Sequence, residues 1–313
     1  MKANKIDVMS KVNPKHMHLK QNNNSNWLMI TIAVLLVVYA ICILGLFYWG
    51  VITSLKTRDD FRYNKMFSFP KMGFAFENYV NALKHLKVQI DTADGGSRYV
   101  YFPELFGNSL IYSLGCTLIQ NSVSCVVAYL CSKYSHHKFT KVLYGIVIVT
   151  MILPIAGSLA SEINMSKNLH LYDTFYGIFI MRANFLGTNF LIFYDAIKMI
   201  PWDYAEAAQI DGANHFQIML RIMFPLIVPT FMITCLLSFI GYWNDYYIPM
   251  IYLPSKPTIA YALYCFQSTS VTSVSNVPAK MAGSLIVFIP VFILFLIFKK
   301  KLIGNLTVGG LKG

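Results

Sequence analysis

Residues 27–52 are twenty-six consecutive positions without a charged side chain. A helix needs about 20 apolar residues to cross the hydrocarbon core of a bilayer, so this run fixes the solvent of the fold before anything else. In that solvent the backbone must satisfy its own N–H and C=O groups, which leaves helices or closed barrels. Five further stretches read as helical spans. Residues 105–130 carry Asn108, Gln120 and Asn121, and residues 142–163 have Pro154 and Gly157 in their middle. Residues 175–197 are interrupted by Arg182, Asn184, Gly187 and Asn189; residues 226–250 have Pro229 near their start; residues 281–298 complete the set. The expected fold is an all-α integral membrane protein of about six transmembrane helices.

The composition fits a lipid-facing surface. Charged residues are 13% of the 313 and apolar residues 56%, where an ordinary soluble domain has about 25% charged residues. Residues 1–26 are polar and rich in Asn and Lys. The apolar run behind them is too long for the core of a removable signal peptide, so it is read as an uncleaved anchor. The net charge is +12, but Lys and Arg lie between and beside the apolar runs. That distribution belongs to membrane proteins and argues against a nucleic-acid partner.

Charge also sets an orientation. With the N-terminus inside, the inner segments carry fourteen Lys and Arg and the outer ones twelve, of which eight lie in residues 53–104. Long outer segments weigh little in this rule, and without that one the count is fourteen to four. The organisation expected is a cytoplasmic tail 1–26, a first span 27–52, an extracytoplasmic segment 53–104, and a transmembrane core 105–298. A cytoplasmic loop 198–225 interrupts that core, and a cytoplasmic tail 299–313 follows it. Both termini are then cytoplasmic. Asp91, Asp94, Gly95 and Gly96 in the outer segment lack the alternating ligands and closing Glu of a calcium loop and read as a solvated turn. The six cysteines include no Cys-x-x-Cys pair and read as small buried hydrophobes. No metal is assigned.

The stretch with most chemical information is residues 201–229, PWDYAEAAQIDGANHFQIMLRIMFPLIVP. It reads as two short helices joined by a turn. Asp203 and Glu206 have capping-box spacing for the first helix, and Gly212 suits its end. Asn214 and Gln217 repeat the box for the second, and Pro225 ends that helix or bends it into the next span. Ala205, Ala207 and Ala208 give the first helix a small face that another surface could approach. An amphipathic helix lying at the membrane interface is the plainer reading.

Glu206-Ala207-Ala208, three residues, Gly212, nine residues, Ile222, then Phe224-Pro225 resembles the EAA loop of ABC importer permeases, with Phe224 where Leu is usual. Ile210-Asp211-Gly212-Ala213, Phe216-Gln217-Ile218, the run from Phe239 to Asp245 and the C-terminal Gly304 to Gly313 are similar to the carbohydrate branch, of the maltose-transporter second-permease type. So are Ser54-Leu55-Lys56-Thr57 and Glu77-Asn78-Tyr79.

The resemblance implies a type I ABC importer permease fold in the bacterial cell membrane. It also implies the partners: a second homologous permease, two ATPase subunits and an extracytoplasmic solute-binding protein. Glu206, Ala207, Ala208, Asp211, Gly212, Ala213 and Pro225 would form the ATPase-coupling element. Gly309, Gly310, Lys312 and Gly313 would reach the ATPase dimer. ATP and Mg²⁺ would sit on the partner, since this sequence has no Gly-x₄-Gly-Lys-Ser/Thr loop. The chain itself would be a transport subunit and not an enzyme. The solute would be a sugar or oligosaccharide; glycerol phosphates and amino acids are the alternatives within the family, and an ion-driven secondary transporter is the alternative outside it.

Polar residues inside spans are costly and often functional, although helix–helix hydrogen bonding also retains them. Asn108, Gln120, Asn121, Asn184, Asn189, Tyr242, Asn244 and Asp245 are candidates for the solute path, and Trp243 joins them as an aromatic beside amide and carboxylate groups.

Overall fold

The computed structural model describes residues 23–92, 94–153 and 157–306, and side chains from 27 to 299. The chain forms two compact units, residues 1–52 and 53–313. In chain order the helices are α1 (Asn23–Ser54), α2 (Arg58–Tyr63) and α3 (Glu77–His85). A hairpin of β1 (Val88–Asp91) and β2 (Ser97–Val100) follows, then α4 (Phe102–Lys133), α5 (Lys138–Ile152), α6 (Leu159–Asn168), α7 (Phe175–Arg182) and α8 (Thr188–Lys198). The rest are α9 (Asp203–Ile210), α10 (His215–Ile218), a π turn (Met219–Met223), α11 (Phe224–Asn244), α12 (Tyr247–Tyr252), α13 (Ile259–Gln267) and α14 (Val277–Leu306).

Among the described residues four helical stretches are long and apolar enough to cross a membrane: Trp27–Ser54, Phe102–Lys133, His215–Asn244 and Val277–Lys299. The third and fourth stretches read as spans in the sequence are built differently. α5 stops at Ile152 because Leu153 stands before Pro154 and is extended, at φ −80° and ψ 118°; a proline disfavours helical geometry in the residue ahead of it. The fourth stretch is two helices, α7 and α8, broken at residues 183–187. Gly187 at the break has φ 129° and ψ −172°, a conformation essentially confined to glycine.

α4 is the hub, packed against α5, α7, α8, α11 and α13. Its polarity is inverted relative to a soluble helix. Ser109, Ser113, Thr117 and Asn121, four residues apart, are buried, while Ile111, Leu114 and Leu118 are exposed. Residues at i and i+4 share a face. Small polar residues on that face let helices approach closely, and lipid solvates the opposite one. Near the α4 N-terminus the core joins α3, the hairpin, α11, α13 and α14 through Leu86, Val88, Leu105, Phe239, Trp243 and Phe266. Toward its C-terminus the core joins α5, α8, α9, the π turn and α11 through Ala128, Val147, Phe193, Ala205, Met223 and Ile227.

The segment between α1 and α4 is ordered by a clasp. Asn78 Nδ2 donates to the carbonyls of Ser54 and Lys56, both at 2.8 Å, and Ser54 Oγ lies 2.7 Å from Tyr79 Oη. The clasp thus joins the two short stretches Ser54–Thr57 and Glu77–Tyr79. Inside the clasp the buried Lys56 donates to the carbonyls of Lys65 and Met66, each at 3.1 Å. Buried Asp60 accepts from Asn64 Nδ2 at 2.6 Å and from the backbone N–H of Lys71 at 2.8 Å. Burial pushes the Asp60 carboxyl up, but these bonds, that from Met72 N and the Lys56 charge together hold its pKa below the ordinary value. The Asp91–Gly96 region closes the hairpin, with Gly95 at φ 76° and Thr92 N–H donating to Gly96 O at 2.8 Å.

Candidate functional site: an exposed capped hairpin and a polar interior

The EAA stretch folds as a helical hairpin. α9 ends in a Schellman turn: Ala213 N–H donates to Ala208 O at 2.9 Å and Gly212 N–H to Gln209 O at 3.0 Å, with Gly212 at φ 82°. A non-glycine residue is disfavoured in that region, so Gly212 makes the turn possible. α10 begins with a complete capping box. Gln217 N–H donates to Asn214 Oδ1 at 2.9 Å, and Asn214 N–H to Gln217 Oε1 at 3.0 Å. The matching expectation for Asp203 needs correction. Trp202 is the cap of α9, in helical geometry and without a side-chain cap, and Asp203 is already inside the first turn with Glu206. Both carboxylates then act on the positive end of the helix instead of closing a box.

Pro225 neither ends the second helix nor breaks the path into α11. The turn before it widens into the π turn, where Phe224 N–H donates to Met219 O, five residues back. A proline lacks the N–H for the regular bond and crowds the carbonyl four residues earlier, and a wider turn accommodates both.

The small face expected on α9 divides. Ala205 and Ala208 are buried against the bundle with Ile218 and Met223, so Ala208 seats the helix on its own chain. Glu206, Ala207, Asp211 and Gly212 are exposed, Ala213 is half-buried, and Pro225 is exposed. Ile210 stands 87% exposed one turn after Glu206, and Phe216 is 64% exposed.

The hairpin is braced from beneath by residues that the sequence reading passed over. Tyr134, just past α4, has its hydroxyl 2.8 Å from His215 Nδ1 and meets Trp202 edge-on at 6.2 Å between centroids. Lys133 donates to Ile200 O. Aromatic and basic residues on both flanks of the loop were the available signal.

The candidates for the solute path separate into three groups. Asn121, Asn189 and Ser238 lie on α4, α8 and α11 and bond one another. Asn121 Nδ2 reaches Thr117 O at 2.8 Å and Ser238 Oγ at 3.1 Å; Asn189 Nδ2 reaches Ser238 Oγ at 3.0 Å and Asn121 Oδ1 at 3.2 Å. Asn108 likewise ties α4 to the loop ahead of α13 through Pro257 O at 3.0 Å. These amides hold elements together.

Trp243 and Asn244 form a second group, away from that network. Trp243 is buried, stacks on Phe239 at 5.8 Å and donates to Val287 O at 3.2 Å. Asn244 borders a different cavity, with Tyr246, Tyr264 and Gln267. Asn184 is half-buried, and its backbone carbonyl accepts from Ser124 Oγ at 3.5 Å.

The third group shares a cavity of ≈ 300 Å³ lined by Gln120, Arg182, Ser238, Gly241, Tyr242 and Asp245. Tyr242 Oη donates to Gln120 Oε1 at 2.8 Å, and the Arg182 guanidinium lies over the Tyr242 ring at 5.8 Å. Asp245 Oδ2 accepts from Tyr112 Oη at 2.8 Å; its Oδ1 accepts from the N–H groups of Tyr247 and Ile248 at 3.0 and 3.2 Å. Arg182 read in the sequence as an interruption of a span. A cation within an apolar run was itself the sign of a functional position. Gly309, Gly310, Lys312 and Gly313 lie outside the described residues.

A helical bundle with apolar outer faces, a polar interior and a braced, exposed hairpin defines a polytopic membrane protein. The chain belongs to the family of binding-protein-dependent transport system inner membrane components, which it matches over residues 123–304. It is 30% identical over 222 residues to an arabinooligosaccharides transport system permease of Bacillus subtilis, covering 70% of this chain and 76% of that one. It is 28% identical over 268 residues to a probable permease for starch degradation products of Thermoanaerobacterium thermosulfurigenes, covering 85% and 90%. The fold is similar to a chain of a bacterial ABC transporter involved in import of the acidic polysaccharide alginate, at a TM-score of 0.68 and 24% identity over 88% of this chain and 97% of the other.

Proposed function

We propose that this chain forms half of the translocation path for a sugar or oligosaccharide in a binding-protein-dependent importer of the bacterial cell membrane. A second, homologous permease supplies the other half, and two ATPase subunits carry ATP and Mg²⁺. The observation that carries the coupling role is the hairpin: Glu206, Ala207, Ile210 and Asp211 stand exposed on a helix fixed at both ends by a Schellman turn and a bracing tyrosine. The sugar class is supported by the relatives, whose names specify arabinooligosaccharides, starch degradation products and maltodextrin.

In this reading the termini and the hairpin face the cytoplasm, as the charge asymmetry favours. Closure of the ATPase pair moves the hairpin. Because α10, the π turn and α11 form one continuous helical path, the displacement reaches the polar interior as a rigid-body shift of α11 against α4. Glu206 pairs with a basic residue of the ATPase cleft, and the C-terminal tail with Gly309 to Gly313 approaches the ATPase interface.

Uptake of a labelled oligosaccharide by cells carrying the whole system tests this. ATP depletion should abolish uptake, and collapse of the ion gradients at constant ATP should leave it unchanged. The reverse pattern would assign the chain to gradient-driven transport.

A further inference from the structure

We propose that the cavity between α4, α7 and α11 is a cationic subsite, centred on Arg182, that binds a carboxylate-bearing saccharide more tightly than its neutral counterpart. This rests on the sugar reading above and names the substrate class within it.

Arg182 is half-buried at the C-terminal end of α7, where the helix breaks. No described residue accepts a hydrogen bond from its side chain, and no described carboxylate lies within 4.0 Å of it. It lies over the face of Tyr242 and within reach of the Asp245 charge, interactions that satisfy charge and no N–H. A guanidinium has five N–H donors and no acceptor.

Asp245, the nearby carboxylate, is already committed. It takes three hydrogen bonds, from Tyr112 Oη and from the N–H groups of Tyr247 and Ile248. These bonds hold α12 and Tyr112 in place and occupy three of its roughly four lone-pair sites. Gln120 has its oxygen engaged by Tyr242, and its Nε2 has no described acceptor. Ser238 Oγ accepts from Asn121 and Asn189, and its own proton has no described acceptor. The hydrogen-bonding capacity left over in the cavity is therefore mostly donors, and one of them carries a full charge.

A solute that fits must supply oxygen lone pairs. Neutral sugar hydroxyls can do so, but a carboxylate also meets the charge with the two-oxygen geometry that guanidinium prefers. The cavity has about the volume at which small-molecule pockets begin. Its position between discontinuous α7–α8 and α11 is the kind of place where transporters bind solute.

The test is equilibrium binding to the permease–ATPase assembly in nanodiscs, with no binding protein present, so that the binding protein's own preference does not enter. The probes are a uronate-bearing trisaccharide and its neutral counterpart. The acidic sugar should bind about tenfold more tightly, the advantage of a charge-assisted over a neutral hydrogen bond. Arg182→Gln should remove that advantage and leave neutral binding within about twofold, and Arg182→Lys should keep part of it. Raising salt should weaken acidic binding to the wild-type assembly and spare the neutral sugar, a readout that depends on no variant. Equal affinity for the two sugars, equal losses of both in Arg182→Gln, or no binding of either would overturn the subsite. The uptake experiment above stands apart from these outcomes, so a failed subsite and a failed sugar importer give different results.

Discussion

Gln120 and Asn121 are neighbours on α4 and belong to two different polar clusters. Asn121 joins Asn189 and Ser238 in a network where each amide nitrogen has a partner on another helix or one turn back. Gln120 joins Arg182 and Tyr242 around a cavity where donors are left over. Ser238 stands in both. In a bilayer the first arrangement is what helix association needs, and the second costs free energy unless something else completes it. The difference shows that burial of a polar residue among spans says little about its role, whereas the count of unmatched donors says a great deal.

That contrast can be broken by substitution. The largest effect on stability is expected for Asn121→Leu, which removes two donated bonds and the acceptor of Asn189. Interhelical hydrogen bonds of this kind contribute about 0.6 to 1.7 kcal/mol each. The thermal midpoint of the detergent-solubilised assembly should therefore fall, with the ratio of acidic to neutral sugar binding unchanged. Tyr112→Phe takes one of three donors from Asp245 and should cost about 1 kcal/mol, again read as a lower midpoint. Arg182→Gln should move the midpoint least. It loses a contact with the Tyr242 face of about 0.5 to 1 kcal/mol and is relieved of guanidinium N–H groups that have no described acceptor. A loss from Arg182→Gln as large as that from Asn121→Leu would erase the distinction between the clusters.

The clasp outside the spans gives a smaller, pH-dependent check on the same logic. Asp60 is held below the ordinary carboxylate value by its partners, so its contribution is complete above the unfolded-state pKa. It is lost as pH falls through the folded value. Asp60→Asn should lower stability in the neutral range and flatten the acid limb of the profile, so that the two proteins converge at low pH.

Much of this was legible in the sequence because it rests on local rules. The apolar runs gave the long helices, and Gly212, Asn214 and Gln217 gave the hairpin, since turn and cap geometry is set within a few residues. Other features were not local. Asp203 has the spacing of a cap, but the chain enters α9 through Trp202, which is already helical. The stretch over residues 175–197 showed its interruptions, Gly187 among them, but that they separate two helices appears only in the backbone there. Trp243, Asn244 and Asp245 are adjacent in sequence and point to a packed core, one cavity and another. Helical rotation separates them by about 100° each, and the sequence does not say which neighbours each turn meets. Arg182 was visible all along as a charge in an apolar run, and only the inventory of its surroundings gave it a role.

The central claim is that an ATPase drives the solute path through the Gly212 hairpin, and substitution at Gly212 tests it most directly. Nothing lies within 4 Å of where a Cβ would stand there, so Gly212→Ala carries only the cost of the left-handed backbone, about 1–2 kcal/mol. Gly212→Pro removes the N–H that bonds Gln209 O and fixes φ near −65°, far from the observed 82°. With membrane levels of the permease held equal, uptake should fall partly in Gly212→Ala and be abolished in Gly212→Pro, together with solute-stimulated ATP hydrolysis. Normal uptake and hydrolysis in the proline variant would contradict the account.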